Sequence, residues 1–263
     1  MNIIACVRQV PTLESTIKPR LQPSAPFIDR SGLEYMTNPF DEFAIEEGIR
    51  VKERLGGGEL TVVAVGPGGA DQMLLNALAM GADGAVHINV NEKGSHLLDS
   101  FVVASLLKNV IERKEYDIIL CGKEAVDDRQ GAVGIELAEF LGLPHVAAVT
   151  KLDVDVDVGF GAKTATARRQ IEAAWEILEC RLPAVFTCHK GLNEPRYPPL
   201  PGIMKARQKP HEDITDIKIP AARLSLTGLE NLPRRKAGKK LEGDVQEVTE
   251  ELLRLLHDEA KVI

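Results

Sequence analysis

The sequence predicts an α/β fold: a mainly parallel sheet with helices on both faces. Three observations carry this. Short apolar runs rich in β-branched residues recur along the chain, helical patterns separate them, and the strand-to-helix junctions at 65–71 and 121–133 contain glycine. At 263 residues and 44% hydrophobic composition, the chain is long enough to bury a sizeable core.

The expected strands are NIIACV (2–7), LTVVAV (60–65), GAVHIN (84–89), YDIILC (116–121), HVAAVT (145–150) and PAVFTC (183–188). The first helix falls in FDEFAIEEGIRVKERL, where Phe40, Phe43, Ala44, Ile45, Ile49 and Val51 recur at near-helical spacing. GGG at 56–58 stops it. Asn38 suits its cap and Pro39 its first position, while Asp41 and Glu42 favour the positive end of the helix dipole. VGPGGADQMLLNALAMGAD, from Val65, repeats the strand, glycine turn and helix. It lacks both the GxGxxG spacing and a GK[ST] motif, so its glycines are read as a tight turn with close helix packing.

After Thr150 the pattern changes. KLDVDVDV places Leu152, Val154, Val156 and Val158 on one face, and the run to Leu182 reads as a small antiparallel excursion about a glycine-containing turn. Residues 190–210 then hold five of the 15 prolines and exclude a regular strand. Beyond them the apolar content thins, apart from one amphipathic helix in VQEVTEELLRLLHDEA. The expected organisation is an α/β domain over 1–210 followed by an extended C-terminal arm, 211–263, which needs a partner surface to pack on.

A net charge of −7 argues against nucleic acid as ligand. Arg234, Arg235, Lys236, Lys239 and Lys240 form one basic cluster, either a solvated loop or a contact for an acidic partner. Cys6, Cys121, Cys180 and Cys188 have neither zinc nor CxxC spacing and read as buried thiols in a reducing compartment. The first residues have no basic segment ahead of a long apolar one, and no run reaches the ~18 apolar residues of a membrane span, so a cytoplasmic location is expected. No GxSxG elbow appears and the six histidines show no i, i+4 pairing, so neither a nucleophilic triad nor a metal site is expected. His189 is either structural or a ligand contact.

CGKEAVDDRQGAVGIELAEF (121–140) is the segment richest in chemistry. Asp127 and Asp128 could split their proton affinities as an acid/base pair, or cap the following helix. With Gly122 and Lys123 they could instead form a nucleotide loop, with amides and Lys123 for phosphate and a carboxylate for a ribose hydroxyl. The residues alone point to an adenine-nucleotide-binding α/β protein without visible catalytic machinery.

Six blocks, ACVRQVP, NPFDEFAIEEGIRVKE, VGPGGADQMLLNALAMGAD, GKEAVDDRQGAVG, LPAVFTC and LNEPRYPPLPGIMKARQKP, occur in an order similar to that of electron-transfer flavoprotein beta subunits. The resemblance spans essentially the whole chain. It implies a Rossmann-like domain, of the adenine nucleotide alpha hydrolase-like kind, in a heterodimer whose alpha subunit mainly holds the redox-active FAD. Such a protein is an electron carrier and not an enzyme, accepting electrons from flavin dehydrogenases such as acyl-CoA dehydrogenases and passing them to a membrane quinone oxidoreductase. The beta site of such carriers holds a structural AMP. Bifurcating members of the family instead bind a second FAD there and oxidise NADH. A rival of another class is a stand-alone ATP-binding signalling protein of the same layered fold.

By this resemblance the nucleotide is wrapped by Gly122, Lys123, Glu124, Ala125, Val126, Asp127, Asp128, Arg129, Gln130, Gly131, Ala132 and Val133. Ala5, Asn38, Pro39, Phe40, Asp41 and Val65 add contributions. Asp128 matches the AMP-type pattern. Ala132 stands where the family commonly has Gln, and Arg129 where a smaller or acidic residue is usual. Gln170 replaces a carboxylate near the flavin domain, and Leu13 replaces an aromatic of some members. The segment 191–205 resembles the family's recognition loop, with Leu200 as partner anchor beside Arg196, Tyr197, Ile203 and Met204; the alternative is that Leu200 packs on its own domain.

Overall fold

The structure is a computed structural model that describes residues 1–12, 14, 18–20, 27–29, 32–90, 98–156, 163–225, 227 and 238–263. Leu13, Val158 and Arg234 to Lys236 lie outside these residues. The chain forms two compact units, Met1–Gly228 and Leu229–Ile263.

The first unit opens with β1 (Asn2–Val7) and β2 (Gln9–Pro11), followed by the short pair β3 (Lys18–Arg20) and β4 (Phe27–Asp29), then β5 (Tyr35–Thr37) and α1 (Pro39–Arg54). Next come β6 (Glu59–Gly66), α2 (Asp71–Met80), β7 (Gly84–Asn89), α3 (Ser100–Ile111), β8 (Ile118–Gly122) and α4 (Val133–Leu141). The excursion follows as β9 (His145–Val156), β10 (Lys163–Gln170) and β11 (Trp175–Arg181). The unit ends with β12 (Ala184–Cys188), α5 (Leu200–Ala206) and β13 (His211–Ile214).

One nine-stranded sheet organises these elements in the order β11-β10-β9-β12-β8-β1-β6-β7-β13. From β9 to β13 every pairing is parallel; β10 and β11 join antiparallel at one edge. The fold is therefore the expected Rossmann-like one, and each of the six anticipated strands lies in the parallel part. The arm was expected to start at 211, but residues 211–214 form the last strand of the sheet, paired in register with 85–88 of β7.

Alternation along the strands divides the interior into two cores. Ile3, Ala5, Val7, Leu60, Val62, Ile118 and Leu120 face α1 and α2, whereas Ile4, Cys6, Val63, Ile119 and Cys121 face α3 and α4. Leu152 and Val154 of β9 extend the first core under the excursion, as the KLDVDVDV alternation requires. Both faces of the parallel strands are covered, and burying each Ile or Leu contributes about 1.5–3 kcal/mol.

Helix α3 was not singled out in the sequence because SFVVASLLKNVI is apolar nearly all round, which blurs its period. Asp99 caps it through a 2.8 Å bond from Val102 N–H. Helix α5 was hidden by its prolines: Pro199 is its cap and Pro201 lies in its first turn, where a missing N–H costs nothing. It packs closely on α2, since a Cβ at Gly202 would overlap the Ala79 carbonyl oxygen. Gly202→Ala is expected to destabilise the unit by about 1–3 kcal/mol, read as a lowered urea midpoint. An unchanged midpoint would mean that α5 shifts without cost.

The second unit holds the expected amphipathic helix as α6 (Val245–Arg254), which starts with a capping box: Asp244 accepts from Glu247 N–H while Glu247 accepts from Asp244 N–H. None of its residues is buried within the described chain. Among the described residues, no helix is long and apolar enough to cross a membrane.

Candidate functional site

Helices α1 and α2 lie on one face of the sheet, α3 and α4 on the other, so the winding reverses between β1 and β8. A parallel sheet opens a crevice at such a switch point, outside the carboxyl ends of its strands. A cleft of about 1000 Å³ lies there, lined by the ends of β1 (Cys6, Val7), β6 (Val65, Gly66) and β8 (Cys121, Gly122), and by the loop leading into α4.

Asp41 braces the reversal. This buried carboxylate in the first turn of α1 accepts the Arg8 N–H at 2.7 Å and the Gly122 N–H at 3.0 Å, tying the ends of β1 and β8 together. Residue 122 must be glycine for this, because a Cβ there would overlap Asp41 Oδ1 and lie 2.9 Å from Phe40 Cβ. Burial pushes the Asp41 carboxyl up to about 7, against the opposing pull of the bonds it accepts.

Asn38 sits at the cap position of α1, and its carbonyl accepts from Asp41 and Glu42. Its side chain, expected to cap that helix, is diverted instead: Nδ2 donates to Glu124 O at 2.9 Å, and Oδ1 accepts from Val126 N–H at 3.2 Å. Being 1% exposed, it pins the 124–126 turn from below.

The two adjacent aspartates neither cap α4 nor stand together as a proton-sharing pair. The Arg8 guanidinium divides its fork between them, Nη2 meeting Asp127 at 2.9 Å and Nη1 meeting Asp128. Asp128 Oδ1 also accepts the Gln130 N–H at 3.1 Å. Arg129 and Gly131 turn the chain with φ of 53° and 63°, which brings it to Ala132, the cap residue of α4. Ala132 offers no side-chain cap, and the first N–H groups of a helix have no acceptors within it, so the α4 start at Val133 and Gly134 presents donors to the cleft. Gly134 lets α4 approach this closely, since a Cβ would come 2.8 Å from Thr187 Cγ2. Across the cleft, Gly66 to Gly69 form the opposite wall. Gln9 Nε2 bonds Gly69 O at 3.0 Å, and the fully buried His87 bonds Gly66 O at 3.1 Å.

Thus Asn38, Asp41, Val65, Gly122, Lys123, Glu124, Ala125, Asp127, Asp128, Gln130, Gly131, Ala132 and Val133 all line the cleft, as one site. Ala5, Pro39, Phe40, Val126 and Arg129 do not. Ala5 is fully buried in the core on the α1 side, and Phe40 packs edge-on against Phe43 and His189. His189 bonds the Lys190 carbonyl and lies away from the cleft. Arg8 was missed as a site residue, although an arginine one residue past an apolar strand end was the available signal. Asp99, at the α3 cap and in the lining, was invisible because α3 was.

The Pro-rich segment forms a second surface. Tyr197, Leu200, Ile203 and Met204 are all exposed, Leu200 at 72%, so Leu200 does not pack on its own domain. Arg196, grouped with them from sequence, turns inward to Glu46 and Glu53 of α1. Gln170 is exposed at the end of β10, opposite Trp175.

Comparison with known proteins matches residues 27–218 to the electron transfer flavoprotein domain. The chain is 40% identical to electron transfer flavoprotein subunit beta of Bacillus subtilis, over 90% of this chain and 91% of that one. It is 33% identical to the protein of that name from Thermoanaerobacterium thermosaccharolyticum, over 98% of both chains. With the human protein of that name it shares 32% identity, over 100% of this chain and 99% of the other. A domain match across most of the chain, and similarity running nearly end to end, establish that this chain belongs to the electron transfer flavoprotein family as a beta subunit.

Proposed function

We propose that the chain is the beta partner of an alpha subunit in a two-subunit electron carrier, and that its cleft holds AMP as a structural ligand. The observation that carries this reading is the composition of the cleft walls. Main-chain amides at the α4 start and around Gly66 to Gly69 suit a phosphate, and Gly122 and Gly131 in the lining leave room beside their backbone for a flat base. Lys123 supplies a cation at the rim. Asp127 and Asp128 are already engaged by Arg8, which favours a scaffolding loop over a proton-transferring one. FAD, held mainly by the alpha subunit, supplies the redox chemistry; this chain contributes a cleft wall and the docking surface for flavin dehydrogenases.

Extraction of nucleotides from the purified complex tests this. One AMP and one FAD per heterodimer are expected. Two FADs would replace the reading with a bifurcating one, and a monomer that hydrolyses ATP would end both.

The docking part has its own test. Leu200→Ala is expected to weaken coupling to the dehydrogenase about tenfold, in the range of a buried anchor residue, while flavin content and heterodimer assembly stay unchanged. Unaltered electron-transfer kinetics would remove the docking role.

A further inference from the structure

Two of the four cysteines, far apart in sequence, meet at the floor of the cleft. Cys6 of β1 and Cys121 of β8 are direct partners in the parallel register, and alternation turns both side chains to the same face. Both line the cleft. The neighbouring Cys121 thiol, together with burial, pushes the Cys6 proton affinity well up. The other two thiols stand apart: Cys188 faces the opposite core and Cys180 lies on β11 near the edge.

We propose that Cys6 and Cys121 form a dithiol site for thiophilic centres that take two sulfurs, with trivalent arsenicals as the ligand class. The geometry selects this class over a direct disulfide. In-register parallel neighbours hold their Cβ atoms near the strand spacing of about 4.8 Å, whereas a disulfide needs about 3.8 Å. An arsenic atom placed between the sulfurs bridges that gap without drawing β1 and β8 together. Two S–H bonds break and two As–S bonds form. Both protons leave with the oxide oxygen as water, arsenic stays trivalent, and no electron moves. The thiolate is the attacking species, so thiols whose protons are held tightly react slowly, and the second As–S bond closed within one site offsets this. The ligand enters through the cleft, and its organic substituent stays there.

Phenylarsine oxide added to the full chain, purified with its partner if it has one, tests the site. Native mass spectrometry is expected to show one arsenic adduct per chain with loss of two titratable thiols. A small 1,2-dithiol should remove it, and a monothiol should not. Cys6→Ser and Cys121→Ser are each expected to lose the adduct, while Cys180→Ser and Cys188→Ser keep it. Circular dichroism separates lost binding from lost folding, and Cys6→Ala and Cys121→Ala repeat the test should a serine variant unfold. A wild-type chain without an adduct, or an adduct that survives in folded variants of both Cys6 and Cys121, would overturn the assignment.

Discussion

Between about pH 4 and pH 7 the protein is expected to lose stability relative to an Asp41→Asn variant, by an amount on the order of 4 kcal/mol. Asp41 is 5% exposed, and burial raises its carboxyl from an ordinary 3.8 to about 7. Below pH 4 the carboxyl is protonated in both the folded and the unfolded chain, and its contribution is fully present. Between the two values the unfolded chain releases the proton while the folded chain keeps it, so stability falls as pH rises. Above about 7 both states are ionised and the slope ends. Asparagine does not titrate. It does leave one of the Arg8 and Gly122 N–H groups without an acceptor, at a cost of about 1–3 kcal/mol that is constant with pH. Urea unfolding at pH 5 and pH 8 should therefore show the difference between the two proteins moving in favour of the variant. A difference independent of pH would refute the reading.

Arg196→Ala is expected to cost about 2–4 kcal/mol, and to lower the melting temperature by about 5–15 °C in scanning calorimetry. Arg196 reaches Glu46 through its backbone N–H at 3.2 Å, Nε at 2.9 Å and Nη2 at 3.1 Å, and Glu53 through Nη1 at 2.7 Å and Nη2 at 3.0 Å. Glu46 is 1% exposed, with Arg50 as its second cation at 2.7 Å. Burial alone would raise the Glu46 carboxyl, yet the bonds from Arg196 and Arg50 hold it below its usual range. Without Arg196, one cation remains against a buried carboxylate, and the start of the Pro-rich segment loses its tether to α1. Arg196→Lys should recover little, because a single ammonium cannot span two carboxylates as a planar fork does. An unchanged melting temperature would show that Arg50 alone suffices.

What was readable in advance follows from how local each signal is. Strands such as NIIACV and PAVFTC declare themselves because burial on both faces demands unbroken apolar runs. Helix α1 shows its stop in GGG and its start in Asn38-Pro39. The purpose of Asn38 was not readable, because its partners, Glu124 and Val126, lie more than 80 positions away. The Arg8 fork on Asp127 and Asp128 escaped for the same reason. Thirteen cleft residues were anticipated as one site because they cluster in a few segments at strand ends. The side chain of Ala5 lies outside the cleft lining because residue parity on β1 decides which core a side chain enters, and position 5 faces α1.

The place of β12 has a consequence for the nascent chain. It pairs with β8 on one side and β9 on the other, so β9 is synthesised some 30 residues before the strand that joins it to the rest of the sheet. Until residues 184–188 leave the ribosome, the exposed edge of β8 is a ready template for foreign strands. Translation pauses or premature stops in that window should make this polypeptide unusually dependent on chaperones.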